Sequence, residues 1–366
     1  MIWIALIFTL IFIWQMIVLL VGIWPARKLL LDIVRLGNWV ALIPAHNEER
    51  VIGDTVKELF GTWAGDVPIR VIVIADNCTD GTARNAAMAG AEVWERTGQP
   101  GKQHALKWAF ERLLKEEDRN TVVTVIDADN RVEKGYFENL MLGLYKADVV
   151  QAYIKSLNTR DNLQTRWYSL MFAFIMRFVC LGRERLGRSG VLGGTGWAMR
   201  LKVLEGCPWD VNSLTDDLEY SIKLRLAGYR VRYVAQASIQ DEKPMGFMVG
   251  VSQRLRWARG QWQCFIKYFL KLIIKDFELA LYVAFPLFGL ASLILIFFYG
   301  LSVKGFMLIA FLYFMACVLE KLPGALPGLI LLIPYFFLGL LLNAFALLTV
   351  RNYSWQRTPH KGVNNH

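Results

Sequence analysis

The sequence predicts an α/β domain with a mostly parallel sheet, carried between α-helical membrane segments and helices that lie at a membrane surface. Three observations point there. Short Val- and Ile-rich runs alternate with helical patterns between residues 36 and 245. Long uncharged stretches flank that region on both sides. Of the 366 residues, 55% are hydrophobic and 20% charged, against about 45–50% and about 25% in ordinary soluble domains.

The first apolar stretch, Met1 to Trp24, holds no charge, and at about 1.5 Å per residue it is long enough to span a bilayer. A basic leader, a shorter apolar run and a small-residue cleavage site are all missing, so residues 1–24 read as an uncleaved transmembrane anchor. Arg27, Lys28 and Arg35 follow it and favour the cytoplasmic side. The second apolar zone, 279–350, reads as segments near 279–300, 305–320 and 327–349. Three crossings would put the C-terminus outside, whereas Arg351, Arg357 and Lys361 in the tail 351–366 favour the cytoplasm. Pro323, Pro327 and Pro334 are placed to break a span, which leaves two to four crossings open.

Within 36–245, the runs Val40–Pro44, Ile69–Ala75 and Thr121–Ile126 are expected strands, and Glu49–Phe60, Gly81–Ala89 and Lys102–Lys115 expected helices. Such alternation implies a parallel sheet covered on both faces, with ligands at the carboxyl ends of its strands. Those ends read Pro44-Ala45-His46-Asn47-Glu48-Glu49, then Asp76-Asn77-Cys78-Thr79-Asp80-Gly81-Thr82, then Asp127-Ala128-Asp129-Asn130. Any one of them alone could be a helix cap or a turn. All three in order, each straight after an apolar strand, are harder to explain that way. Asp127 and Asp129 are hard oxygen ligands suited to Mg²⁺ or Mn²⁺, with a diphosphate completing the shell. A dinucleotide GxGxxG is absent after the first strand, and Gly101-Lys102 is followed by Gln103 rather than the Ser or Thr of a phosphate-binding loop.

From about residue 40 to 262 the chain resembles the family 2 glycosyltransferases of GT-A (Rossmann-like) fold. The likeness is to the membrane-bound branch that includes cellulose, chitin and hyaluronan synthases, ceramide glucosyltransferases and bacterial exopolysaccharide enzymes. The first cluster is similar to the family's first nucleotide-contacting segment and the second to its uridine-contacting turn. Gly101-Lys102-Gln103-His104-Ala105-Leu106 is similar to its GKxxAL stretch, and Asp127-Ala128-Asp129 to its DxD. Thr215-Asp216-Asp217 resembles TED with Asp for Glu in the middle, and Gln253-Arg254-Leu255-Arg256-Trp257 matches QxxRW. The resemblance implies inverting transfer of a sugar from a nucleotide donor, expected to be uridine-linked, to an acceptor hydroxyl. Glu48, Asp76, Lys102, Asp127, Asp129 and Arg256 are then expected at the donor, with Asp127 and Asp129 on the metal.

Inversion needs a base beside the attacking hydroxyl, and the resemblance assigns it to Asp217. Gly194, Thr195, Asp216, Gln253 and Trp257 are expected at the acceptor. The shorter Asp216 side chain puts the contact made there in doubt. The local grammar also allows a plain helix start, with Thr215 as cap and acidic residues in the first turn. Likewise Gly193-Gly194-Thr195-Gly196 could simply turn into a strand at Trp197–Arg200.

Gln253, Arg256 and Trp257 share one helix face at i, i+3 and i+4. Trp257 suits stacking on an acceptor sugar, and Arg256 suits a bidentate grip on the diphosphate. Residues 246–275 carry Lys267, Lys271 and Lys275 at i, i+4 and i+8 opposite an apolar face, the pattern of a helix lying on a bilayer. Trp167–Leu181 is a second candidate for lying on or docking against the membrane part. Lys+Arg 41 against Asp+Glu 31 gives a formal net charge of +10. The basic residues gather beside apolar spans, which fits anionic lipid headgroups rather than nucleic acid. Five cysteines, at 78, 180, 207, 264 and 317, show no CxxC pair and exclude a disulfide scaffold.

The leading expectation is a multi-pass enzyme of a bacterial plasma membrane, with its catalytic domain in the cytoplasm, that builds exopolysaccharide. A single-transfer glycolipid synthase is the alternative, and a non-catalytic membrane scaffold a third. Expected partners are the nucleotide-sugar donor, a growing glycan or lipid acceptor, membrane lipids, and a second copy of the chain or an export protein.

Overall fold

The computed structural model describes residues 13–26, 37–287, 289, 291 and 303–352. The first half of the expected N-terminal anchor, half of the 279–300 segment and the tail beyond residue 352 lie outside the described residues.

Alternating apolar runs fold first into β1 (Trp39–Ala45), α1 (Ile52–Thr62), β2 (Arg70–Asp76), α2 (Thr82–Met88), β3 (Glu92–Arg96), α3 (Lys102–Glu116) and β4 (Val122–Val125). β5 (Arg131–Val132), α4 (Tyr136–Leu144) and β6 (Val149–Ser156) follow. Strand order in the single sheet is β3-β2-β1-β4-β7-β6-β8-β5, with β7 (Trp197–Arg200) and β8 (Val231–Asp241) supplied later in the chain. β1 pairs in parallel with β2 and β4, and β2 with β3. Successive β1 residues serve opposite cores: Trp39, Ala41 and Ile43 on one face, Val40 and Leu42 on the other. A strand covered on both faces must be apolar throughout, which is how these runs read.

Most pairings are parallel, β6 with β8 included, but the sheet is mixed. β7 runs antiparallel to both β4 and β6, and β5 antiparallel to β8. The physical reason is the route of entry. The chain reaches β7 through the 193–196 turn beside the carboxyl end of β4, where the Gly196 N–H donates to the Val125 carbonyl at 2.9 Å. Starting from that end, β7 runs back along β4.

α5 (Leu163–Phe174) continues through a π-helical turn (Ile175–Cys180) into α6 (Leu181–Arg185). This segment is docked on the apolar helices. In the π-helical turn, Arg177 gives one nitrogen to the Ile23 carbonyl (2.9 Å), at the end of the helical residues 13–21, and another to Glu320 (3.2 Å). α7 (Lys202–Gly206) and α8 (Asp216–Leu226) precede β8, and α9 (Phe247–Lys275) follows it. α9 does more than lie on a surface. Its apolar face, with Cys264, Tyr268 and Leu272, is buried against Leu218 and Ile222 of α8 and Leu279, Ala280 and Val283 of α10 (Phe277–Val283). A second stripe, Ile266, Leu270 and Ile274, is 64%, 76% and 91% exposed beside Lys267, Lys271 and Lys275.

α11 (Val303–Leu319) is followed by a 3₁₀ helix (Pro323–Leu331) and α12 (Leu332–Leu348). Pro323–Leu348 is continuously helical, with mean hydropathy 2.3. It is the one stretch among the described residues long and apolar enough to cross a membrane. The prolines do not break it. Pro323 opens the 3₁₀ part, Pro327 lies inside it and Pro334 sits in the first turn of α12. α11, at 17 residues, is shorter.

The core beside the sheet is aromatic. Trp197 of β7 is 1% exposed and stacks on Trp209 at 5.7 Å between ring centroids, with Phe110 of α3 against both. Trp197→Ala is expected to cost about 3–5 kcal/mol, read as a lowered thermal unfolding midpoint of the detergent-solubilised chain.

Candidate active site

The first two strand ends are locked to each other. Asn47 and Asn77 both adopt left-handed backbone conformations, with φ of 57° and 51°, which Asn tolerates in tight turns. The Asn47 Oδ1 accepts from the Thr79 N–H at 2.8 Å, the Glu48 N–H donates to Thr82 Oγ1 at 2.7 Å, and Glu49 Oε2 accepts from the Gly81 N–H at 2.8 Å. Glu48 thus enters the site region through its backbone. Asp76, 4% exposed, is held by Arg96, by the Asn77 amide and by the Gly101 N–H at 3.2 Å. Its carboxylate therefore fixes the turn from which Lys102 starts α3.

Lys102 reaches across the carboxyl edge of the sheet. Its ammonium pairs with Asp127 and also donates to the Gly194 carbonyl at 2.7 Å. Burial alone would lower its pKa, but Asp127, Asp216 and Asp217 together raise it. The Asp127 N–H donates to Thr195 Oγ1 (3.1 Å), whose hydroxyl donates to the buried Asn130 (2.6 Å). Thr195 therefore braces the turn of the two metal-type carboxylates rather than pointing away from them.

Asp217 lies one residue into α8, its Oδ1 accepting from the Leu218 N–H at 2.8 Å. Gly194, at φ +82°, comes close enough that a Cβ built there would sit 3.5 Å from Asp217 Oδ2. Lys102, Asp127, Gly194, Thr195 and Asp217 thus form one cluster, although 115 residues separate its ends in sequence. Burial first, and the neighbouring Asp216 second, push the Asp217 carboxyl up to about 6. Arg256 and Lys102 pull it the other way.

The segment before Asp217 is held from four sides. Buried Glu219 accepts the Asn212 and Ser213 N–H groups (2.7 and 2.6 Å) on one oxygen. Its other oxygen accepts from Lys267 and Tyr268 of α9, both at 2.7 Å. Gln263 accepts from the Leu214 N–H at 2.9 Å, and Arg256 Nη1 donates to the Leu214 carbonyl at 2.8 Å. Gly260 lets α9 pass so close that a Cβ there would lie 2.5 Å from Thr215 Oγ1. Thr215 precedes the helix as expected but makes no side-chain cap bond; Glu219 anchors the preceding loop instead. Sequence reading missed Glu219, Gly260 and Gln263. An acidic residue four positions into α8 and a glycine inside a long helix were the signals available. Lys267, read as one of three membrane-facing lysines, is committed to Glu219.

Arg256 stands at the site, its Nη1 donating to the Leu214 carbonyl. Trp257 packs edge-on to Phe172 of α5, with centroids 6.4 Å apart, at the border of the cluster formed by Trp167, Tyr168, Leu332 and Tyr335. Gln253 is partly buried on the same helix, one turn before Trp257. Among the described residues no group of three or more His, Cys, Asp or Glu is arranged to hold a metal. Asp127 and Asp129 form a pair of hard oxygen donors, and Asp127 already holds a cation in the Lys102 ammonium. Two carboxylates fit a divalent ion whose remaining ligands come from a diphosphate.

Burial alone would raise the Glu219 carboxyl, but Lys267, Tyr268 and the two N–H groups outweigh it and bring it down to about 2 from 4.5. A depressed carboxylate contributes stability that is present above about pH 4.5 and drains away as pH falls toward about 2. Glu219→Gln is expected to cost about 1.5–3 kcal/mol near neutral pH. It should also flatten the fall of the unfolding midpoint between those two pH values, as measured by thermal unfolding across a pH series.

Comparison with known proteins agrees with this arrangement. Residues 38–260 match a family model described as glycosyltransferase like family 2. The chain is 29% identical over 289 residues to a probable glycosyltransferase, YdaM, of Bacillus subtilis, covering 75% of this chain and 66% of that one. It is 28% identical over 245 residues to a beta-monoglucosyldiacylglycerol synthase of Nostoc, covering 64% and 51%. The chain thus spans about half to two thirds of the length of the curated relatives it matches. Among solved structures, the mannosyltransferase PcManGT of Pyrobaculum calidifontis, in complex with GDP-Man and Mn²⁺, superposes with a TM-score of 0.51 at 17% identity, over 91% of this chain and 93% of that one. Ordered carboxylates along the strand ends of a mixed α/β sheet and the match over 38–260 lead to one conclusion: the chain belongs to the family 2 glycosyltransferases and has their GT-A fold.

Proposed function

We propose that this enzyme transfers a sugar, with inversion, from a nucleoside diphosphate donor to the hydroxyl of an acceptor held at a membrane. The observation that carries the reading is the placement of Asp217, a buried carboxylate raised to about 6, between the donor-side pair Lys102–Asp127 and the helix bearing Trp257. In this reading Asp217 takes the proton of the attacking hydroxyl, and a raised pKa makes it a stronger base than an ordinary aspartate. Lys102 exchanges Asp127 for the donor diphosphate and offsets the charge that develops on the leaving group. Asp127 and Asp129 would hold Mg²⁺ or Mn²⁺, which, when bound, supplies further neutralisation of that diphosphate. Asp76 keeps the Gly101–Lys102 turn in place, Glu48 lines the first nucleotide loop, and Thr195 keeps the Asp127–Asn130 turn in register. Gln253 and Trp257 face the acceptor, with Asp216 beside the base.

The acceptor reading follows from Trp257. It abuts Phe172 and the Tyr168–Tyr335 cluster, so the acceptor side of the base is continuous with the helices that carry the membrane-length stretch. A lipid bearing a free hydroxyl fits that position, and the Nostoc relative is named for such a product. Extension of a polysaccharide uses the same chemistry and differs in product length. The UDP preference, the cytoplasmic orientation of the catalytic domain and the exposed Ile266–Leu270–Ile274 stripe resting on lipid belong to this proposal.

Purified enzyme supplied with radiolabelled UDP- or GDP-sugars, Mg²⁺ or Mn²⁺, and diacylglycerol-containing micelles should yield a single-sugar lipid. Long polymer with no labelled lipid would overturn the lipid-acceptor reading. Asp217→Asn should lower turnover at least about a thousandfold while donor binding, measured by calorimetry, stays near that of the unaltered enzyme. Because the base acts deprotonated, kcat/KM should rise with pH through about 6. Asp216→Asn removes a neighbouring negative charge and should move that acid limb to lower pH in a pH–rate profile.

A further inference from the structure

A second buried cation stands near the metal-type carboxylates, and nothing in the sequence motifs singles it out. Lys243 follows the end of β8, where the ladder brings it beside them. Arg131, two residues after Asp129, pairs with Gln240, and Ser156 with Asp241. The Lys243 side chain is 2% exposed. Its ammonium lies 2.7 Å from Asp241 Oδ2 and 3.3 Å above the centre of the Phe172 ring. A buried lysine is costly unless it is paired and held, and this one is both. Asn158 grips its backbone twice, accepting from the Lys243 N–H and donating to its carbonyl, both at 2.8 Å. Gln164 donates to the carbonyls of Pro244 (3.0 Å) and Gly246 (2.9 Å), and Asn162 to that of Met245 (3.1 Å). Three amide side chains thus strap one short segment. Asp129 acts electrostatically on Lys243, and Asp241 on Asp127.

We propose that the Lys243–Asp241 pair is a fixed counter-charge that sets how tightly Asp127 and Asp129 hold their divalent ion. Three carboxylates then share the pocket with two ammonium groups. Lys102 can leave Asp127 for a diphosphate; Lys243, sealed over Phe172, stays. Lys243 is therefore a positioning residue: it meets neither donor nor acceptor and acts through the field it adds at the ion. Its other neighbour, Phe172, packs on Trp257 at 6.4 Å, so the same cation also sits under the acceptor-side aromatic. The inference rests on the metal reading given under the proposed function.

The test is Mn²⁺ binding to the full-length, detergent-solubilised chain without donor, followed by the electron paramagnetic resonance signal of the free ion. Lys243→Met removes a positive charge and should tighten Mn²⁺ about three- to tenfold. Asp241→Asn removes a negative one and should weaken it by a similar factor. Lys243→Arg should stay within about twofold of the unaltered chain. Opposite signs are the signature, because a merely structural role would weaken both variants. Weakening in both, or no change in either, overturns the inference. If K243M fails to accumulate as folded protein, Lys243→Gln, which removes the charge but keeps a polar end beside Asp241, takes its place: tighter binding supports the proposal, and unchanged or weaker binding overturns it. If the unaltered chain binds no Mn²⁺ even with UDP present, the metal reading itself falls. Binding there with unshifted variants removes only the role of Lys243.

Discussion

Contact between α8 and α9 is the constraint on which the rest of the site depends. Two helices that carry different parts of the chemistry meet at Gly260 and Thr215 with no room for a methyl group. Glu219 closes that contact by gathering two backbone N–H groups and two α9 side chains on one carboxylate. A buried carboxylate is expensive to desolvate, and it is retained here because four donors satisfy it. The result is that Asp217 cannot move independently of Arg256 and Trp257. Any shift of α9 is transmitted to the loop immediately before Asp217.

The same helix links the site to the apolar part of the chain. Trp262 of α9 donates to Asn343 of α12 at 2.9 Å, and Arg259 to Thr349 at 2.9 Å. Gln263, which holds Leu214, also donates to the Val350 carbonyl at 2.8 Å. One end of the Pro323–Leu348 stretch is thus pinned to the helix that holds the segment before Asp217. Arg177 makes a corresponding tie at α5, to Glu320 and the Ile23 carbonyl. These polar links between apolar helices are directional in a way that burial alone is not, so they fix the orientation of the site relative to those helices.

Charge in the cleft follows a simple economy. Carboxylates that would repel one another are each given a cation: Arg96 for Asp76, Lys102 for Asp127, Lys243 for Asp241. Asp217 is held differently. Lys102 and Arg256 act on it from a distance, yet burial and Asp216 prevail and keep its carboxyl high. A group left this way has the property wanted of a base, and its environment rather than its residue type confers it.

Much of this was legible along the chain. Apolar runs long enough for strands, each ending in acidic or polar residues, fixed β1, β2 and β4 and the three ligand-side loops, because burial on both sheet faces leaves the strand interior no polar choice. The spacing of Gln253, Arg256 and Trp257 placed them on one helix, because helical periodicity is a local property. What the chain alone could not determine was everything that depends on distant segments meeting. The antiparallel return of β7 was hidden because a four-residue strand carries no sign of its direction. The roles of Glu219, Gly260 and Lys267 were hidden because each is defined by a partner on another helix. Lys243 belongs to none of the sequence motifs, and only the β8 pairings bring its neighbour Asp241 near Asp127 and Asp129. The sequence determined which residues could do the chemistry; the tertiary structure decided which of them share a field, because electrostatics acts through space and not along the chain.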